Sequence, residues 1–473
     1  MEVIVMSVTT SLSAIERINA LLDDNSFVEI GGLVKARSTD FNLSAKETPG
    51  DGVVTGYGLI NGCLVYVYSQ DAAVLNGSVG EMHAKKIVRI YDMALKTGAP
   101  VIGLVDSAGL RLQEATDALN AFAKIYRRQA MASGVIPQVT AVFGNCGGGL
   151  SVMAGMTDFT LMSNDGHMFV NSPNVLDGNF KEKNDTSSSD VQAKDTANVD
   201  FTGTEEEVIE KIRDIISIIP ANNQDDLSYE PSTDDLNREV DAEGLVNDMQ
   251  EMISVISDNG NFVETKREYA SDAVTGFMRL DGHTVGVVAN NSNLITSAGA
   301  EKMSELIRFC DSFGIPVVSF VNATGFETTI EEEMKLQKAI SKLAFAFASA
   351  TVPKVSVIVG ESFGSAYSVM NSKGLGADMV YAWNDTKIGM MDSEAAVKIM
   401  YDKELSASKD AVKEISKLAG EYDKLCLSTE SAASRGYVDT IIDSKDTRKY
   451  LIDALEMLYT KRDYVPDKKH GTI

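Results

Sequence analysis

The chain repeats itself. "VTGYGLINGCLVYV" from Val54 resembles "VTGFMRLDGHTVGV" from Val274, and upstream of each lie "DDNSFVEI" at Asp23 and "SDNGNFVET" at Ser257, an offset of about 220 residues. Further on, "TGAPVIGLVDSAG" from Thr97 matches "FGIPVVSFVNATG" from Phe313, and "PQVTAVFG" from Pro137 matches "PKVSVIVG" from Pro353. "GNCGGGLSVM" from Gly144 then falls opposite "GESFGSAYSVM" from Gly360, with one extra residue in the second copy. Segments that recur in one order mark a duplicated domain. The 473 residues are also too many for one ordinary core, so two halves are expected, 1–228 and 229–473.

Within each copy, short continuous apolar runs such as "VIGLV" and "VVSFV" follow a Gly-x-Pro or Gly-Ala-Pro turn, as strands buried on both faces do. "AEKMSELIRFCDSFG" instead spaces Met303, Leu306, Ile307 and Cys310 along one helical face. The class is α/β with helical crossovers. The polar, acidic stretch 221–244 reads as a linker, and the insert "GNFKEKNDTSSSDVQAKDTANVD" from Gly178 reads as a mobile surface loop or lid.

The duplicated glycine turn is where chemistry is expected. Gly147, Gly148 and Gly149 follow the apolar run "VTAVF" and precede a stretch able to start a helix. The first N–H groups of a helix lack internal partners and sit at the positive end of its dipole, and glycine lets a ligand oxygen approach them. Such a turn can serve as an oxyanion hole. Gly364, Ser365 and Ala366, all small, stand at the matching place in the second copy, so one chain carries two such turns. Two holes suit a reaction in which each of two reactants develops negative charge on oxygen.

Composition removes several alternatives. A formal charge of −25 disfavours a nucleic-acid-binding face. A phosphorylated ligand would need a local basic cluster, for which His83 to Arg89 and Arg127 with Arg128 are the candidates. No apolar run approaches the roughly 18 to 20 residues of a membrane span, and "MEVIVMSVTTSL" is a poor signal peptide, so a cytoplasmic protein without membrane insertion is expected. The four cysteines and four histidines are dispersed, and no metal site is expected. Three rival motifs remain. "GESFG" matches a nucleophile elbow at Ser362 with His470 downstream, Cys146 is a possible nucleophile, and "EMKLQ" around Lys335 imitates a biotin-attachment site. The first is weakened because the paired copy "GNCGG" has no serine, the second because no partner histidine is suggested, and the third because its neighbours read as a charged helix.

The chain resembles the carboxyltransferase (β) subunit of biotin-dependent acyl-CoA carboxylases, the propionyl-CoA carboxylase β and methylmalonyl-CoA decarboxylase α family. The resemblance runs from "RINALLDDNSFVE" at Arg17 to "KKHGTI" at the C-terminus and is carried by "PGDGVVTGYG" from Pro49, "GAPVIGLVDSAG" from Gly98, "ASGVIPQ" from Ala132, "ATVPKVSVI" from Ala350, "SKGLGAD" from Ser372 and "RGYVD" from Arg435. It implies two tandem crotonase-like (ClpP/crotonase) spiral ββα domains, with acyl-CoA on the N-terminal half and carboxybiotin on the C-terminal half. It also implies transfer of a carboxyl group between N1 of carrier-bound biotin and the α-carbon of a short-chain acyl-CoA, propionyl-CoA or acetyl-CoA. The N–H groups of Gly148 and Gly149 would stabilise the thioester enolate and those of Ser365 and Ala366 the ureido oxygen. Gly147, Gly364, Tyr367, Ser368, Ala108 and Gly109 would line the substrates.

The implied partners are a biotin carboxyl carrier protein and either a biotin carboxylase subunit or the membrane subunits of a sodium-pumping decarboxylase, in a homo-hexamer. A non-catalytic assembly homologue is the alternative. Two departures stand out. Ser365 replaces a common glycine, and the segment from Glu327 lacks the glycine and proline residues usual in the family.

Overall fold

Two units of like build follow one another along the chain, Met1–Leu227 and Ser228–Ile473. The structure, a computed structural model, describes residues 11–37, 47–179, 183–224, 228–408 and 410–466. The N-terminal unit runs α1 (Ala14–Leu21), β1 (Val28–Glu29), β2 (Val53–Ile60), β3 (Cys63–Gln70), α2 (Glu81–Thr97), β4 (Val101–Ser107), α3 (Ala115–Ala132), β5 (Gln138–Gly147), α4 (Gly149–Ala154), β6 (Phe159–Ser163), β7 (His167–Phe169), α5 (Ser189–Lys194), β8 (Phe201–Gly203) and α6 (Glu205–Ile218). The second unit repeats the order. It runs α7 (Met249–Ile256), β9 (Phe262–Thr265), β10 (Ala273–Leu280), β11 (His283–Asn290), β12 (Leu294–Ile295), α8 (Ser297–Phe313), β13 (Val317–Ala323), β14 (Gly325–Phe326), α9 (Ile330–Ser349), β15 (Lys354–Phe363) and α10 (Gly364–Val369). It closes with β16 (Met379–Trp383), β17 (Lys387–Gly389), α11 (Ser393–Met400), α12 (Asp402–Ala407), α13 (Ala411–Tyr422), α14 (Thr429–Ser434), β18 (Thr440–Ile442) and α15 (Thr447–Leu458).

Each unit is built on one twisted sheet, ordered β1-β2-β3-β4-β5-β6-β8 in the first and β9-β10-β11-β13-β15-β16-β18 in the second. An antiparallel hairpin, β2–β3 or β10–β11, starts the core of each, and its two-residue turns, Asn61-Gly62 and Asp281-Gly282, both take positive φ, the chemistry of a tight right-twisted hairpin. The strands that follow are parallel, joined by helices that cover the sheet. Ile87, Ile90 and Ala94 of α2 and Phe122 and Ile125 of α3 bury their apolar stripes in the first core. Met303, Ile307 and Cys310 are the buried face of α8 that the sequence spacing calls for.

Long strands carry the two site turns. The first half of β5 pairs with β6, Val139 opposite Phe159 through Val142 opposite Met162; the second half turns away to pair with β7, Asn145 opposite His167 through Gly147 opposite Phe169. In the second unit β15 does the same with β16 and β17. Ser107 lies opposite Cys146 and Ala323 opposite Ser362, so Gln138–Gly147 and Lys354–Phe363 correspond residue for residue. The extra length of the second copy therefore falls after the turns.

Two segments are more ordered than their polarity suggests. The second part of the insert forms α5, where Ser189, Gln192 and Ala193 are buried, as is Ser187 just before it, and Ala193 and Val199 join the first core. The acidic stretch read as a linker belongs in good part to the second unit. Val240 and Ala242 are in its core, and Asp234 holds Arg238 at 2.9 Å while facing the buried Arg448. Carboxylates that meet arginines cease to be solvated linker charge. From Ile330 the second departure from the family pattern is one unbroken helix, α9, capped by Thr329 and acidic in its first turn.

Candidate functional site

The three consecutive glycines are bare for three different reasons. A Cβ on Gly147 would lie 2.7 Å from the Phe169 ring, and one on Gly149 would lie 2.8 Å from Tyr126 Oη. Gly148 has nothing within 4 Å of that position, but its φ of 59° and ψ of −121° suit only glycine. The second turn has the same break at the same register, Gly364 with φ 58°. Gly149 opens α4 and Gly364 opens α10, so the N–H groups that follow each turn have no acceptor four residues back.

These donors are not equivalent. The Gly148 N–H donates to Phe169 O at 2.8 Å, completing the ladder between β5 and β7, so it is already engaged. Ser151 Oγ donates to Gly148 O and Tyr126 Oη to Gly149 O, each at 2.8 Å. In the second unit Ser365 and Ser368 are exposed and Tyr367 is half-buried, its hydroxyl pKa raised by burial; Ala366 is buried. Ser368 Oγ reaches back toward Gly364 O at 3.4 Å. Of Ala108 and Gly109, it is Gly109 that lies beside the first turn, a Cβ on it being 3.7 Å from Gly147 O. Their N–H groups are taken up locally, by Asn76 O at 2.9 Å and Ser107 Oγ at 3.1 Å.

Sequence reasoning missed Tyr126 and Phe169, which lie outside the glycine-rich motif, and Ser151, which stands within it two residues after Gly149. It also missed the charged network under the Ala108–Gly109 segment. Arg111, Asp51, Glu114, His83 and Gln70 are all buried there. Arg111 pairs with Asp51 and, at 2.9 Å, with Glu114, and also donates to Ser78 O. His83 Nδ1 faces Asp51 O at 2.9 Å, and burial pulls its pKa down to about 3, so the ring is neutral. His83 and Lys86 thus leave the basic cluster proposed for a phosphorylated ligand. Lys86 Nζ is spent on the carbonyls of Gly50 and Val53, while Arg128 pairs with Asp92 at 2.8 Å.

The rival motifs do not assemble. Ser362 is buried inside β15, two residues before the positive-φ turn where an elbow serine would stand, and its hydroxyl has no hydrogen-bond partner. His470 lies outside the described residues. Ser362→Ala is accordingly expected to keep full carboxyl transfer and an unchanged or higher Tm, because a buried hydroxyl without a partner only destabilises; covalent labelling of Ser362 by a phosphonate would overturn this. Burial pushes the Cys146 thiol up to about 12, which leaves it a protonated, inert core residue. Lys335 stands on α9, paired with Glu331 at 2.8 Å. Among the described residues no group of three or more His, Cys, Asp or Glu is placed to hold a metal ion, and no helix is long and apolar enough to cross a membrane.

A carboxyl transferase domain matches residues 9–473. The propionyl-CoA carboxylase carboxyltransferase subunit of Haloferax mediterranei is 40% identical over 480 residues, covering 98% of this chain and 93% of that one. The methylmalonyl-CoA decarboxylase subunit alpha of Veillonella parvula is 38% identical over 487 residues, with the same coverage, 98% and 93%. Among solved structures, transcarboxylase 12S, described as a hexamer assembly with methylmalonyl-coenzyme A and methylmalonic acid bound, superposes with a TM-score of 0.93 at 34% identity over 98% of this chain and 92% of its own.

Proposed function

The chain belongs to the carboxyl transferase domain family and is an acyl-CoA carboxyltransferase of tandem crotonase-like fold, and we propose that it works with biotin on a separate carrier protein and a short-chain acyl-CoA, propionyl or acetyl. When bound, carboxybiotin would supply the carboxyl group transferred from N1 to the α-carbon, with N1 of biotin taking the α-proton in exchange. The chain's own residues answer the charge. The first turn holds the thioester oxygen of acyl-CoA on the main-chain N–H groups that open α4, beginning with Gly149, and the second, Ser365–Ala366, holds the ureido oxygen. Each main-chain donor contributes about 3 kcal/mol to lowering the barrier.

The observation that carries this reading is the recurrence of one glycine-broken turn, at φ 59° and 58°, at the same register of both sheets. The residues fit the biotin side, because Ser365 is exposed at the first turn of α10 and its side chain leaves the N–H in place. Partners of this kind are a biotin carboxyl carrier protein and a biotin carboxylase subunit, around a homo-hexamer in the cytoplasm. The Veillonella relative, a decarboxylase subunit by name, supports a second direction, decarboxylation, which uses the same half-reaction. The deciding experiment mixes the purified chain with labelled methylmalonyl- or malonyl-CoA and free biotin or a biotinylated carrier. Label is expected on biotin; a folded chain that moves none from either thioester would sink the proposal.

Selectivity is proposed to depend on Ser368, exposed beside Tyr367 just past the second turn. Its small side chain, beside the turn proposed for the ureido oxygen, would leave room for a short acyl group where carboxybiotin delivers its carboxyl. One methylene discriminates by only about 1–3 kcal/mol, so both acetyl- and propionyl-CoA are expected to react. Ser368→Ile should change the ratio of their kcat/KM values by about tenfold or more. A flat ratio with lower activity would move the selectivity determinant elsewhere.

A further inference from the structure

Resting on the reading of the first turn as the acyl-side oxyanion hole, we infer that its second main-chain donor is Leu150, not Gly148, and that Tyr126 is the residue that positions it. The Gly148 N–H is already engaged by Phe169 O at 2.8 Å, inside the pairing of β5 with β7. Freeing it would break that pairing. The next two N–H groups, of Gly149 and Leu150, belong to the first turn of α4. The residue-for-residue match of β5 with β15, continued past Gly148 and Gly364, sets Gly149 and Leu150 opposite Ser365 and Ala366. One alignment of the duplicated halves thus yields the same donor pair in both, which the pair Gly148 and Gly149 does not.

Tyr126 acts on this donor through the peptide that carries it. The Leu150 N–H and the Gly149 carbonyl belong to one planar trans peptide and point in opposite directions. Tyr126 Oη donates to that carbonyl at 2.8 Å from α3, a separate element, and so fixes where the N–H aims. Its ring is itself held against Phe122, with centroids 5.9 Å apart. The same contact explains Gly149: any Cβ there would meet Tyr126 Oη at 2.8 Å and Phe122 at 3.3 Å. Burial raises the Tyr126 pKa, which keeps the hydroxyl a donor. A hydrogen bond on the carbonyl also polarises the peptide, so the N–H donates more strongly when charge appears on the thioester oxygen.

The test replaces single N–H groups by ester oxygens, using α-hydroxy acids at positions 150 and 148, alongside Tyr126→Phe. Transfer kinetics and exchange of the acyl-CoA α-proton with deuterium oxide are measured in the full chain. The ester at 150 is expected to lower kcat and α-proton exchange by about a hundred- to a thousandfold with KM for acyl-CoA little changed. Tyr126→Phe is expected to lower kcat about tenfold, again without a rise in KM. The ester at 148 should lower Tm, through the lost bond to Phe169 O, and lower kcat by a far smaller factor than the ester at 150 does. The inference is overturned if the ester at 148 abolishes turnover while that at 150 does not, or if Tyr126→Phe raises KM at constant kcat. An unmodified chain that transfers nothing would instead sink the functional proposal.

Discussion

Gly148→Val is expected to leave the chain folded and carboxyl transfer reduced by at least about a hundredfold. The backbone at Gly148, φ 59° and ψ −121°, is one that a β-branched residue adopts only under strain, at about 1–3 kcal/mol. That is a fraction of the roughly 5–15 kcal/mol that hold a domain together. The space around a new Cβ there is open to 4 Å, so the side chain has room in the fold, and on the proposed reading it would fill the space in which the thioester oxygen meets the turn. Circular dichroism and Tm separate folding from catalysis, and near-normal transfer by a folded variant would remove Gly148 from the site. Gly149→Val is the less clean experiment. Its side chain would collide with Tyr126 and Phe122, so lost activity would be accompanied by lost packing. From sequence the two positions look interchangeable.

Arg111→Met is expected to destabilise the N-terminal unit by about 3–5 kcal/mol, measured by denaturant unfolding. Arg111 is 1% exposed and Asp51 and Glu114 are fully covered around it. Burial already raises the Asp51 pKa, and the Arg111 charge is the main influence pulling it back. Removing the guanidinium leaves two buried carboxyl groups without their cation, and releases Ser78 O as well. The same loop carries the Arg111 N–H to Val79 O and the Val79 N–H to Gly109 O, so the segment beside the first turn should loosen with it. The double variant with Asp51→Asn should recover part of the loss. A change under about 1 kcal/mol would show that the network is dispensable.

The family's departures are informative beside these residues. Ser365 keeps its N–H while adding a side chain that stays exposed, and the altered segment from Glu327 has become the well-capped helix α9. Neither removes a donor from either turn.

Much of this was legible in the chain before it folded. The duplication, the alternation of buried strands with amphipathic helices and the two small-residue turns are local or self-referential signals: a residue must suit its own φ and ψ, and a repeat need only match itself. The availability of a donor is different, because it depends on which acceptor the fold brings to it. Phe169, about twenty residues beyond Gly148, takes one N–H, and Tyr126, on a helix before β5, aims another. The fate of Ser362 was equally non-local, since only the pairing of β15 with β13 and β17 encloses its hydroxyl. Sequence by itself determined that the chain carries two matching small-residue turns, one in each half. Tertiary structure alone decided which N–H groups remain to meet an oxyanion, because hydrogen bonds saturate and their partners come from distant strands and helices.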